Sequence, residues 1–112
     1  MQIVTSDIGN DDTINIRTAE SLDLTALGMI TRVSTLVRYP QIRYVVIDLE
    51  NTRYIRDSGL AMLILLRKRI GKMVRHITIA NCRPVLKNRL SAVSLTTGFR
   101  FAEHRKPPRS VT

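Results

Sequence analysis

Val45-Val46-Ile47-Asp48-Leu49 leads through residues 50–53 into Tyr54-Ile55-Arg56-Asp57-Ser58-Gly59-Leu60, and on into Ala61-Met62-Leu63-Ile64-Leu65-Leu66. The β-branched run closing on Asp-Leu reads as a buried strand. A short polar stretch follows, then a hydroxyl residue, a glycine and an apolar run rich in helix formers. That order predicts a helix opening at Ser58, with the serine at or beside the N-cap, where its oxygen can accept an orphan backbone N–H. A phosphate added at the same place would meet unsatisfied N–H groups and the positive end of the helix dipole.

Outward from this stretch the chain alternates strand and helix signals. Ile3-Val4 and Ile14-Asn15-Ile16 read as short strands around the polar turn Gly9-Asn10-Asp11-Asp12. Asp23 is placed to cap a helix running to about Arg38, with Leu27, Ile30, Ser34 and Val37 on one face, stopped by Pro40. Tyr44 to Leu49 is the central strand, and Ser58 to about Lys72 a second helix ending near Gly71. His76 to Ala80 is a further strand. Pro84 suits the first turn of a third helix, whose Leu86, Leu90 and Val93 recur at helical spacing. Phe99 to Phe101 forms a last short strand. Strands interleaved with helices predict an α/β sandwich rather than a bundle: one mixed sheet of about four to five strands with helices packed on it. Residues 1–104 are expected to form this single domain, and the basic residues 105–112 a disordered tail.

A chain of 112 residues is one domain, large enough for a core without disulfide or metal support. The single cysteine, Cys82, has no internal disulfide partner, which suits a reducing compartment. His76 and His104 lie too far apart in sequence to suggest a zinc site or a cysteine–histidine pair. No metal or cofactor is therefore expected. No apolar run approaches the ~20 residues of a membrane span. The first residues lack the basic-then-apolar pattern of a secretory signal, so a cytoplasmic protein is expected.

Charge is unevenly distributed. Residues 1–52 carry four basic and seven acidic side chains; residues 53–112 carry fourteen basic and two acidic ones, within a total of +9. Such asymmetry points to an acidic protein or an anionic membrane surface as partner, or to a solvated face that keeps the protein soluble. Nucleic acid fits less well: there is no tryptophan, the few aromatics are not interleaved with the basic residues, and no nucleic-acid-binding motif is present.

Five blocks in order resemble the STAS domain family, the sulfate-transporter and anti-sigma-factor-antagonist domains. They are Ser21-Leu22-Asp23, Val46-Ile47-Asp48-Leu49, Asp57-Ser58-Gly59-Leu60, Ile77-Thr78-Ile79-Ala80-Asn81, and Leu90 to Phe99. One position departs: Arg56 stands where the family usually has an aspartate two residues before its phosphoacceptor, and Asp57 holds what is normally a second hydroxyl position. The resemblance implies an anti-sigma factor antagonist, which binds an anti-sigma factor that is also a serine kinase and is switched off by phosphorylation of the serine before the glycine, here Ser58. The alternative is a non-phosphorylated scaffold or transporter-associated regulator of the same fold, binding an acidic protein or an anionic lipid surface.

On the second helix, Leu63, Leu66 and Ile70 form the stripe assigned to the core. Ser58, Ala61, Leu65, Lys68 and Lys72 fall on another face, mixing hydroxyl, small, apolar and basic positions as an interface does. With the resemblance, the partner-binding set becomes Asp57, Gly59, Ala61, Met62, Leu65, Lys68 and Lys72, joined by Asp23 and Arg56. An enzyme is not expected. The chain has no glycine-rich phosphate loop, and Asp57 as the immediate neighbour of Ser58 gives no triad logic.

Overall fold

The computed structural model describes residues 7–9, 12–92 and 98–102. Strands β1 (Asp7–Gly9), β2 (Thr13–Arg17), β4 (Tyr44–Asp48), β6 (His76–Ala80) and β7 (Arg100–Phe101) form one sheet in the order β1-β2-β4-β6-β7. β1 pairs antiparallel with β2, and the other neighbours are parallel. A second, two-stranded parallel sheet joins β3 (Ser21–Leu22) to β5 (Tyr54–Ile55). Three α-helices complete the domain: α1 (Leu27–Leu36), entered through a 3-10 turn at Leu24–Ala26, α2 (Asp57–Ile70) and α3 (Pro84–Ala92). The expected strand at Ile3-Val4, Val93 of the third helix, His104 and the tail lie outside the described residues; the hairpin partner of β2 is Asp7–Gly9.

In β2, β4 and β6 buried and half-buried residues alternate strictly. Ile14, Ile16, Val45, Ile47, Ile77 and Ile79 join Met29, Ile30, Val33, Leu63, Leu66, Ile70 and Leu90 in one core. The intervening positions, Val46 among them, keep partial exposure. β4 is thus central but buried on one face, not on both as its uninterrupted apolar run suggests. Thr-Ile-Asn-Ile-Arg and His-Ile-Thr-Ile-Ala carry the period of two that a one-sided sheet needs.

α1 corrects one detail of the periodicity reading. Its buried residues are Met29, Ile30 and Val33, with Ala26 and Val37 just beyond its ends, while Leu27 is 42% exposed. At 100° per residue the buried stripe of Ala26, Met29, Ile30, Val33 and Val37 is centred about 100° round the helix from Leu27, which therefore falls off the buried face.

The loops at the C-terminal end of the strands are tied by a buried hydroxyl pair. Thr52 Oγ1 donates to the Ala19 carbonyl at 2.7 Å, so the Thr18 hydroxyl is left to donate to Thr52. Thr52 is fully buried. Thr52→Val keeps the volume but strands the Ala19 carbonyl and leaves the Thr18 hydroxyl only the longer contact to the Asp48 carbonyl at 3.5 Å. We expect it to cost about 1–3 kcal/mol, read as a lower urea midpoint at unchanged slope.

Candidate functional site

β4 delivers the chain to the C-terminal edge of the sheet, where residues 49–56 fold back along residues 19–22. The Arg53 and Tyr54 N–H groups both donate to the Glu20 carbonyl, at 2.8 and 3.1 Å, and the Arg56 N–H donates to the Leu22 carbonyl at 3.0 Å. This β3–β5 ribbon sets two helix starts side by side, one at Asp23 and one at Arg56. Asp23 caps its turn, as its position in the sequence predicts: its carboxylate accepts the Thr25 N–H at 3.0 Å and the Ser21 hydroxyl at 3.2 Å. The Thr25 side-chain hydrogen bond, first of all, then the Thr25 N–H, hold the Asp23 carboxyl below the usual aspartate value, with the positive charge of Arg56 a smaller influence. A depressed carboxylate stabilises the fold above its unfolded-state pKa, and that contribution is lost as pH falls through the folded-state value.

Ser58 does not cap α2. The N-cap is Arg56, in extended backbone (φ −82°, ψ 168°) and with no side-chain cap bond. The β3–β5 pairing causes this, because Arg56 is held extended by Leu22 and the helix cannot begin before Asp57. Ser58 becomes the second helical residue, half-buried, and its hydroxyl makes no hydrogen bond among the described residues. The first-turn N–H groups of α2 therefore carry no serine oxygen, and an unengaged hydroxyl stands at the positive end of the helix.

The residues around Ser58 divide into two groups. Ala61 and Lys68 are exposed and Leu65 is half-buried, so with Ser58 they make the accessible face of α2 that the helical spacing indicates, and Lys72 is exposed in the turn just after the helix. Asp57 and Arg56 are exposed at its head. Gly59 and Met62 belong elsewhere, against the assignment to a partner surface. Met62 faces the core, and Gly59 is packed on the Leu22 backbone so closely that a Cβ would lie 2.7 Å from the Leu22 carbonyl carbon and nearer still to its oxygen. Glycine is needed there for close approach of helix to ribbon.

Arg89, on α3, is the residue that sequence reasoning missed. Its Nε donates to the Ile55 carbonyl at 2.7 Å and its terminal nitrogen to the Asp57 carboxylate at 2.7 Å. One guanidinium thus pins the end of β5 and the first residue of α2. Arg53, Tyr54, Ile55, Arg56, Asp57 and Arg89, with Leu86 beneath, line a cleft of about 460 Å³ at the head of α2. A contact across thirty-odd residues leaves no local periodicity, so no sequence signal marks Arg89. Further along the same edge Arg17 reaches Asp48 at 3.4 Å and Glu50 at 3.9 Å, and Asn81 donates to Asp48 at 3.0 Å.

Chemically, the site offers a free hydroxyl, a helix N-terminus and a rim of arginines. Among the described residues no group of three His, Cys, Asp or Glu side chains could hold a metal ion. Cys82 follows β6, and burial pushes its thiol pKa up, which lowers its thiolate fraction at neutral pH.

A model of the STAS domain family matches residues 7–106. The chain belongs to the STAS family. A STAS-domain containing protein of Pseudomonas aeruginosa (strain UCBPP-PA14) is 38% identical to it over 60 residues, which span 54% of this chain and 58% of that protein. The match thus covers less than two thirds of the relative. Among solved structures, the anti-sigma factor antagonist SpoIIAA in its unphosphorylated form shares the architecture with a TM-score of 0.67, covering 88% of this chain and 86% of SpoIIAA at 15% identity. At that identity the likeness is one of fold. This STAS domain shares with SpoIIAA the mixed sheet and the helices packed on it. Among the described residues no helix is long and apolar enough to cross a membrane.

Proposed function

We propose that this STAS domain is an anti-sigma factor antagonist, a partner-switching module in which Ser58 is the phosphoacceptor and the exposed face of α2 is the docking surface. The observation that carries the reading is the state of Ser58: a hydroxyl unengaged among the described residues, in the first turn of α2, at the head of a face that presents Ala61, Leu65, Lys68 and Lys72. The likeness of fold to SpoIIAA supports the class of activity. The partner is then an anti-sigma factor with serine-kinase activity. The domain acts by binding, not by catalysis, and requires no cofactor.

Phosphorylation works as a switch through charge. A phosphoserine adds about −1.5 to −2 charge and three acceptor oxygens. Within the domain the helix dipole and the exposed Arg53 and Arg56 tolerate it. In a docked complex the same group is a bulky desolvated charge facing the kinase's own nucleotide phosphates, and binding falls. Arg56, in place of the family's usual aspartate, favours retention of phosphate once it is added.

The test is phosphate transfer from ATP by the host's anti-sigma serine kinases to the wild-type protein and to Ser58→Ala, with the modified residue mapped. Labelling of the wild type at residue 58, absent from the Ala variant, is the expected result. Robust labelling of the variant, or none of the wild type by any of these kinases, overturns the assignment. The second reading, a non-phosphorylated STAS scaffold, would then be favoured by the arginine at position 56.

A further inference from the structure

The end of the molecule opposite Ser58 concentrates the charge that the sequence leaves unexplained. α2 carries Ser58 at its head and Arg67, Lys68 and Arg69 in its last turn, ~15 Å further along at 1.5 Å per residue. At that far end the turn after α1 (residues 37–43) and the turn after α2 (residues 71–75) lie side by side. The Arg75 N–H donates to the Arg43 carbonyl at 2.7 Å, and Tyr44 stacks on His76 across the strand starts at 5.9 Å.

The ion pairs gather at one end, although Arg56 at the head of α2 is exposed there without one among the described residues. The ion pairs of Arg17, Arg53 and Arg89 all lie at the C-terminal edge of the strands, with Asp48, Glu50, Glu20 and Asp57. Arg38, Arg43, Lys68, Arg69, Lys72 and Arg75 are exposed, and none makes an ion pair among the described residues. The described carboxylate at this end is Asp12, which accepts the Thr13 hydroxyl. From the same two turns project Tyr39, 54% exposed, and Met73, 45% exposed.

A shallow pocket of about 390 Å³ opens beside them, lined by Arg67, Lys68, Gly71, Lys72 and Gly98. Gly98, at φ +89°, leaves the space in which the Arg67 side chain lies. Arg67 Nε is buried with no hydrogen-bond partner among the described residues. Nothing described neutralises this guanidinium, and its planar fork suits a phosphate or a carboxylate oxygen.

We infer that this end of the domain docks on an anionic membrane surface, with Tyr39 and Met73 entering the interface and the Arg67 pocket taking a lipid headgroup phosphate. The cations radiate from three separate segments around exposed apolar side chains instead of lining one groove. A planar sheet of negative headgroups matches that spread, since lysine and arginine stems snorkel along it while tyrosine sits at headgroup level. Each such cation near an anionic leaflet strengthens binding about fivefold, and the attraction is lost beyond a Debye length. Ser58 would then face away from the membrane, accessible to its partner. The inference goes beyond the proposed switch but shares Lys68 and Lys72 with the face proposed for partner docking, so membrane binding is measured with no partner present.

The experiment is co-sedimentation of the full chain with phosphatidylglycerol-rich vesicles and with pure phosphatidylcholine vesicles across a salt series. Wild type is expected to bind the anionic vesicles at low salt, to be released by salt, and to ignore phosphatidylcholine. Lys68→Gln/Lys72→Gln/Arg75→Gln is expected to lose about a hundredfold, three fivefold steps. Tyr39→Ser/Met73→Ser weakens binding while keeping its salt dependence, and Arg17→Gln at the opposite edge leaves it unchanged. Circular dichroism confirms that each variant is folded. Equal binding to both vesicle types, no binding by wild type, or wild-type binding by the triple variant overturns the proposal. So does a protein that ignores vesicles but binds poly-glutamate, which assigns the patch to an acidic protein partner.

Discussion

Gly59→Ala is expected to destabilise the domain by about 2–4 kcal/mol, with a fall in melting temperature of roughly 10 °C or more. Two effects compete. Alanine is the better helix former by about 1 kcal/mol, and on propensity alone the change would stabilise. Against that, the new Cβ would lie 2.7 Å from the Leu22 carbonyl carbon. The obstacle is backbone, which cannot rotate aside, and that same carbonyl accepts the Arg56 N–H. The clash therefore pries α2 from the β3–β5 ribbon and disturbs the Ser58 turn as well. Gly28→Ala supplies the contrast. Gly28 lies in α1 with nothing near the position its Cβ would take, so propensity acts unopposed and about 0.5–1 kcal/mol is gained. Paired denaturant melts settle the matter: equal shifts for the two variants would show that Gly59 is not a packing contact.

Ser58→Asp is expected to weaken partner binding by about 1–3 kcal/mol, roughly fivefold to 150-fold, while leaving the fold intact. Ser58 makes no hydrogen bond among the described residues, so replacing it removes no stabilising contact. An acidic residue in the first helical turn meets the positive end of the dipole, a favourable term of a few tenths of a kcal/mol opposed by its neighbour Asp57. In the complex the added charge is desolvated without a matched cation. Aspartate carries about one negative charge and no tetrahedral phosphate, so it understates the effect of phosphorylation. Ser58→Ala is expected to bind as wild type and to melt within ~0.5 kcal/mol of it, because there is no cap to lose. Titration of the partner with all three proteins distinguishes the cases. Equal affinities among folded variants would dismiss the switch and leave a scaffold.

The helices and strands were legible because each carries a local period. His76–Ala80 alternates, Leu63, Leu66 and Ile70 recur at helical spacing, and Pro84 opens α3; all three appear in the structure where the pattern puts them. The Asp23 cap was legible for the same reason, since its bonds reach only two residues along the chain.

What escaped local reading depends on pairs far apart in sequence. The β3–β5 ribbon is two strands of two residues each, too short for any periodicity. Yet it fixes where α2 begins, moving the cap from Ser58 to Arg56. It also converts Gly59 from a surface residue into a packing contact. Arg89 at the cleft and the buried Thr18–Thr52 pair are similarly long-range. The excess of basic residues after position 52 could be counted from composition, but not placed. Sequence alone therefore determined the elements, their order and the serine at the head of α2, because propensity, periodicity and turn chemistry act over a few residues. Only the tertiary structure decided that Gly59 and Met62 are buried, that Ser58 is left unengaged, and that the ion pairs gather at one end of the molecule. Those outcomes turn on steric contact and Coulomb interactions between segments that meet only when the chain has folded.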